Sequence, residues 1–95
     1  MLVKWLSLAL ADLDVEAAYI ARDSPSAAER MVDNIFAKAD RLAAYPASGR
    51  PGRVLGTREL VVTGTPCILP YRVRGQTVEV IRLLHGSRKW PRKLE

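Results

Sequence analysis

The chain is poor in the residues that build metal centres and covalent staples. It holds one cysteine, Cys67, and one histidine, His85, among 95 residues, so neither a disulfide framework nor a zinc quartet can be assembled, and no metal or cofactor is expected. It also lacks the uninterrupted apolar run of about 20 residues that a bilayer-crossing helix needs. Leu2 to Ala11 is weakly like a secretory leader, but Lys4 and Trp5 interrupt it and the apolar period continues past Ala11, so a cytoplasmic location and no membrane partner are expected. Length excludes a two-domain enzyme, and one domain spanning residues 1–95 is the default. Acids are scarce in one half only. Residues 1–45 carry five bases against seven acids, net −2, whereas residues 46–95 carry ten bases against Glu59, Glu79 and Glu95, net +7. Such an imbalance points to a polyanionic or acidic partner for the second half.

What is present is a core-forming composition, 48% apolar and 26% charged, with periodicity that assigns elements. Leu2 to Leu6 is a short β-type run. Leu10, Leu13, Ala17 and Ile20 then form one stripe of a helix over roughly Ala9 to Arg22. Ser24 caps a second helix with Pro25 at its first position. Its stripe Ala28, Val32, Ile35, Ala39 and Leu42 stays apolar up to Tyr45, and Pro46 stops it. Pro46 to Gly56, with two prolines, three glycines and Arg50 and Arg53, is a basic loop. Three β-type runs follow at Thr57–Thr63, Ile68–Arg74 and Thr77–Leu84, with a tight turn at Gly75-Gln76, and a basic tail occupies residues 86–95. The order β-α-α-β-β-β predicts an α+β domain in which a helix hairpin covers one face of a small, mainly antiparallel sheet and leaves the other partly open for a ligand.

The chain's chemistry is concentrated in its cations. Metal-free RNA cleavage needs a base, an acid and cations on the phosphate. His85 is the one good proton-transfer group, and Arg58 and Arg82 are candidates to complete a catalytic set. Arg50, Arg53, Arg72, Arg88, Lys89 and Trp90 are candidates for substrate binding, the arginines by forked phosphate contacts and Trp90 by base stacking. The bland alternatives are a hydrogen-bonded strand-end histidine, arginines paired with Glu59 or Glu79, and a Trp90 folded against the helices. Strand parity sends Arg82 and His85 to opposite faces unless the strand end bends. Cys67 reads as a small filler.

The path Gly49-Arg50-Pro51-Gly52-Arg53, Gly56-Thr57-Arg58-Glu59-Leu60-Val61, Pro70-Tyr71-Arg72-Val73 and Val80-Ile81-Arg82-Leu83-Leu84-His85-Gly86-Ser87-Arg88-Lys89-Trp90-Pro91 resembles bacterial toxins of the RelE/ParE superfamily, as do Trp5 and Ala11-Asp12-Leu13. The resemblance implies the toxin half of a type II toxin–antitoxin pair, forming a hetero-oligomer with a cognate antitoxin. It also implies one of two activities: ribosome-dependent mRNA cleavage, towards which the basic half and His85 lean, or non-catalytic inhibition of DNA gyrase. The dense lysine and arginine set that precedes the second strand in the strongest mRNA-cleaving members is missing, and Trp90 stands where those members carry a tyrosine. An amphipathic, acidic antitoxin segment is expected over the groove between helices and sheet or over the basic face.

Overall fold

A computed structural model describes residues 1–95. The elements are β1 (Leu2–Trp5), α1 (Ser7–Ala21), α2 (Pro25–Asp40), β2 (Arg50–Pro51), β3 (Arg58–Val61), β4 (Cys67–Arg74), β5 (Thr77–Val80) and β6 (Leu84–His85). The sheet runs β1-β5-β4-β3-β2, with β1 parallel to β5 and the remaining pairs antiparallel. The predicted α+β architecture stands, with both helices on one face.

Helix α2 begins where its cap chemistry requires: the Ser24 hydroxyl accepts the Ala27 N–H at 3.2 Å and Pro25 opens the first turn,. It ends at Asp40, earlier than the apolar stripe predicts. Residues Arg41–Ala43 tighten into a 3-10 turn that still buries Leu42, so the stripe persists while the hydrogen bonding changes. Ala9 and Leu13 of α1 pack with Met31, Ile35 and Ala39 of α2 and with Val62, Cys67, Leu69 and Val80 of the sheet. Trp5 meets Phe36 edge-on with ring centroids 4.9 Å apart,.

The expected single strand Thr77–Leu84 is broken. Pairing runs from Arg74↔Thr77 to Tyr71↔Val80, then resumes at Ile68↔Leu84 and Cys67↔His85. Two β4 residues, Leu69 and Pro70, therefore face three on the other strand, which is the count of a β-bulge. Pro70 supplies the reason, since it has no N–H to donate and only accepts the Ile81 N–H at 2.9 Å,. The bulge re-aims residues 81–83 and starts a new short strand.

The second face of the sheet is less open than expected. Ile81 is buried there and Leu94 of the tail, also buried, lies beside it. The basic loop is held from the helix side by Tyr71, whose fully buried hydroxyl donates to the Pro46 carbonyl at 2.7 Å and accepts the Gly49 N–H at 2.9 Å. A side chain on Gly49 would sit 2.6 Å from that same ring, so only glycine lets the loop approach. Tyr71→Phe leaves both backbone groups without their partner and is expected to cost about 1–3 kcal/mol, read as a lower denaturation midpoint at unchanged slope.

Candidate functional site

The bulge decides where the cations go. Arg82, in the re-aimed segment, reaches helix α1 and forms a two-pronged pair with Asp12, Nε to Oδ2 at 2.7 Å and Nη2 to Oδ1 at 3.0 Å. The Leu83 N–H adds a third bond to Asp12 Oδ2 at 3.0 Å, and Arg82 Nη1 donates to the Leu94 carbonyl at 3.1 Å. Hydrogen bonding to Asp12 holds the Arg82 guanidinium above its ordinary pKa,. This side chain is a clamp between helix, strand and tail.

Arg72 lies directly across from Glu79 in the β4–β5 register. Its Nε donates to Glu79 at 2.8 Å and its Nη2 to Glu95 of the tail at 2.7 Å. The hydrogen bond from Arg72 lowers the Glu79 pKa, helped by the charges of Arg72, Arg74 and Lys4,. Glu59 on β3, only 3% exposed, accepts Arg50 Nη2 at 3.1 Å and the Arg53 backbone N–H at 2.9 Å. The Arg53 guanidinium in turn lies 3.6 Å from the centre of the Trp90 ring, a cation–π stack that ties the basic loop to the tail. Trp90 Nε1 donates to the His85 carbonyl at 3.1 Å. Arg58 Nη1 donates to the Gly49 carbonyl at 2.8 Å.

The three proposed catalytic residues do not converge. Arg58 is opposite Tyr71 on one side of β4, and His85 is opposite Cys67 on the other side. The two are separated by about 13 Å along the strand and two strand spacings, about 10 Å, across it. Arg82 is held by Asp12. The strand end does bend, as joint service of Arg82 and His85 would require, but the bend delivers Arg82 to a carboxylate. Four of the predicted residues do come together: His85, Arg88, Lys89 and Trp90 line one cavity between α1 and the tail, with Asp12 and Glu16 opposite. Arg50 and Arg53 reach that group through Glu59 and the Trp90 stack, and Arg72 belongs to a separate pair on the second face.

Sequence reasoning gave Asp12 and Glu16 no role at the site and did not find the tail contacts. Glu16 was visible in principle, because Ala9, Leu13 and Glu16 share the buried stripe of α1 and an acid on such a stripe asks for an explanation. Cys67, fully buried, has its thiol pushed up by burial, in keeping with a filler.

A second surface feature is apolar. Between the helices a cleft is lined by Ala17, Ala18, Ala21 and Ala28, with Glu29 and Asp33 at its edge. An apolar cleft of this kind marks a protein contact; the exposed Val15 of α1 lines the other cavity, beside the tail.

This architecture, a helix hairpin on one face of a mainly antiparallel sheet with an arginine-rich second half, defines a RelE/ParE-type toxin domain. The family model for the ParE toxin of the type II toxin–antitoxin system parDE matches residues 3–90. The Sinorhizobium fredii protein Y4kP is 47% identical over 92 residues, covering 97% of this chain and 95% of that protein. Toxin RelE2 of Caulobacter vibrioides is 41% identical over 86 residues, covering 90% and 96%. A chain in the solved structure of the chromosomal ParDE system from P. aeruginosa superposes with a TM-score of 0.78 at 32% identity, over 87% of this chain and 92% of that one. The chain belongs to the ParE toxin family of type II toxin–antitoxin systems, within the RelE/ParE superfamily. No helix is long and apolar enough to cross a membrane.

The lowered Glu79 pKa fixes the sign of one pH effect. A carboxylate that ionises more readily in the folded state stabilises it above the unfolded pKa, about 4.3 for Glu, and loses that contribution as pH falls through the lower folded value. Melting temperature is expected to fall over that acid range, and Glu79→Gln is expected to flatten that part of the profile. An unchanged slope in the variant would count against the assignment.

Proposed function

We infer that the chain arrests growth by binding its target rather than by cutting RNA, and that the target is DNA gyrase. The observation that supports this is the internal engagement of the arginines. Arg50, Arg72 and Arg82 hydrogen-bond to Glu59, to Glu79 and Glu95, and to Asp12, and Arg53 is stacked on Trp90. Phosphoryl transfer needs preorganised cationic donors aimed together at one point of developing charge, whereas these are dispersed over separate carboxylates and the tail, where they stiffen the molecule. A pre-stiffened surface suits binding, because little side-chain order is lost on docking. The match to the ParE family model and the likeness to the ParDE structure lean the same way.

The partner in this reading is an antitoxin whose amphipathic segment lies in the alanine-lined cleft between α1 and α2. Glu29 and Asp33 rim that cleft, so a segment seated there carries bases beside its apolar stripe, in place of the acids expected from the sequence.

Two assays run on the same preparation separate the target modes. Titration into a gyrase reaction is expected to lower supercoiling, with full recovery on adding antitoxin. Addition to a translating extract is expected to leave message 5′ ends unchanged. New 5′ ends within codons, together with unaffected supercoiling, would reverse the assignment.

A further inference from the structure

Of the four clefts on the surface, three hold an acid: Glu29 and Asp33 between the helices, Asp12 and Glu16 beside the tail, and Glu95 within the tail itself. The fourth holds none. It lies between the end of α2 and β3, has a volume of about 240 Å³, and takes its polar lining from Lys38, Arg41, Tyr45, Ser48 and Thr63. Lys38 is half-buried and Arg41 exposed. Neither comes within ion-pair distance of a carboxylate, whereas Arg50, Arg53, Arg72, Arg74, Arg82 and Arg88 all do. The hydroxyls of Tyr45, Ser48 and Thr63 also stay out of the internal bonding. This stretch is tied through its carbonyls instead, with the Ser48 N–H on the Tyr45 carbonyl at 3.1 Å and Asn34 Nδ2 on the Thr63 carbonyl at 3.2 Å.

The backbone adds a donor. Val62 N–H donates to the Cys67 carbonyl at 3.1 Å, and bonding alternates along an antiparallel pair, so Val61 turns its N–H away from β4. On that side β2 ends at Arg50, opposite Glu59. Val61, 50% exposed, therefore lines the cleft with no strand beside it. Cations suit the C-terminus of a helix, which accounts for Lys38 and Arg41 at the end of α2. It does not account for three hydroxyls and a strand amide gathered at the same place with no acid among them.

A wall of donors fits an anion rich in acceptors. A carboxylate offers about four lone-pair sites, which the Arg41 fork and the Lys38 ammonium fill by themselves. A phosphate presents three strong acceptor oxygens about a tetrahedral centre, so fork, ammonium and hydroxyls each find an oxygen. The volume is below the roughly 300–1,000 Å³ of pockets that enclose a whole drug-sized ligand. It suits a phosphate group whose substituent stays outside. We propose that this cleft is a phosphate site, with Lys38 and Arg41 supplying the charge and the Tyr45 and Ser48 hydroxyls and the Val61 N–H orienting the oxygens. Its ligand chemistry is shared by a phosphorylated small molecule and by the backbone of a nucleic-acid strand. The site is independent of which target the toxin inhibits.

The test is a titration of the isotope-labelled full chain, followed by amide chemical shifts at constant ionic strength, which holds general screening fixed. Inorganic phosphate is expected to give saturable shifts confined to Ser48, Val61, Thr63 and their neighbours. Lys38→Ala with Arg41→Ala is expected to weaken binding about tenfold or more, the scale of one or two lost charge-assisted bonds. An octathymidylate without terminal phosphates, compared at equal phosphate concentration, distinguishes the sources. Tighter binding of the oligonucleotide than of inorganic phosphate assigns the site to a strand, and equal or weaker binding assigns it to a small molecule. Absence of saturable shifts at these amides, shifts that sodium chloride reproduces, or shifts confined to the basic tail would overturn the proposal. So would a glutamate-rich peptide that moves the same amides at lower concentration than either phosphate form, since the cleft would then belong to a protein partner. The wild-type map decides the matter even if the double variant fails to fold. Neither gyrase nor ribosome is present, so failure here leaves the target assignment standing.

Discussion

The three bonds that converge on the Asp12 carboxylate hold the second half of the domain in place. Two come from the Arg82 guanidinium and one from the Leu83 backbone, and they join the first helix to a segment seventy residues further along the chain. Arg82 passes the connection on through its third nitrogen to the Leu94 carbonyl. Charge-assisted bonds in a partly buried setting are stronger than neutral ones, and losing either member leaves an uncompensated charge. The β4–β6 pairing, the His85 position and the docked tail all lie downstream of this contact.

The same logic is repeated across the molecule. A net charge of +5 suggests a surface ready to grip phosphate, yet the two acids on strands of the second half, Glu59 and Glu79, are matched to arginines by the register. Arg72 meets Glu79 across β4 and β5, and Arg50 meets Glu59 across β2 and β3. Cross-strand pairs of this kind stabilise the sheet and fix its register. The remaining positive charge is displaced to the tail, where Lys89, Arg92 and Lys93 make no ion pair within the chain, and to the cavity beside α1. Functional chemistry is therefore to be sought at the edges of the fold and not on the face of the sheet.

Elements governed by local rules were legible from the residues. The Ser24-Pro25 cap, the apolar stripe of α2, the β4–β5 turn at Gly75, where φ is +57°, and the hairpin order followed from capping, periodicity and turn chemistry. What escaped was set by long-range geometry or by one atom's absence. The missing N–H of Pro70 breaks the last strand, although Thr77–Leu84 reads as one continuous β-type run. Arg82 finds Asp12 and Arg72 finds Glu95 through tertiary folding, which no window of the sequence contains. The tail has no period because its order comes from single anchors: Trp90 beneath Arg53, Leu94 beside Ile81 on the second face, and Glu95 on Arg72. The candidate site was half legible, since His85, Arg88, Lys89 and Trp90 are close in sequence while Glu16, their partner across the cavity, is on the first helix.

Amide hydrogen exchange of Asp12→Ala against the parent chain tests the clamp most directly, because the Leu83 N–H has Asp12 as its one partner. Protection at Leu83 is expected to collapse and to take with it the Gly86 amide, which bonds to Pro66, while amides shared by β3 and β4 keep theirs. If Leu83 and Gly86 exchange as slowly in the variant as in the parent, the carboxylate does not organise the second half, and the account built on it is wrong.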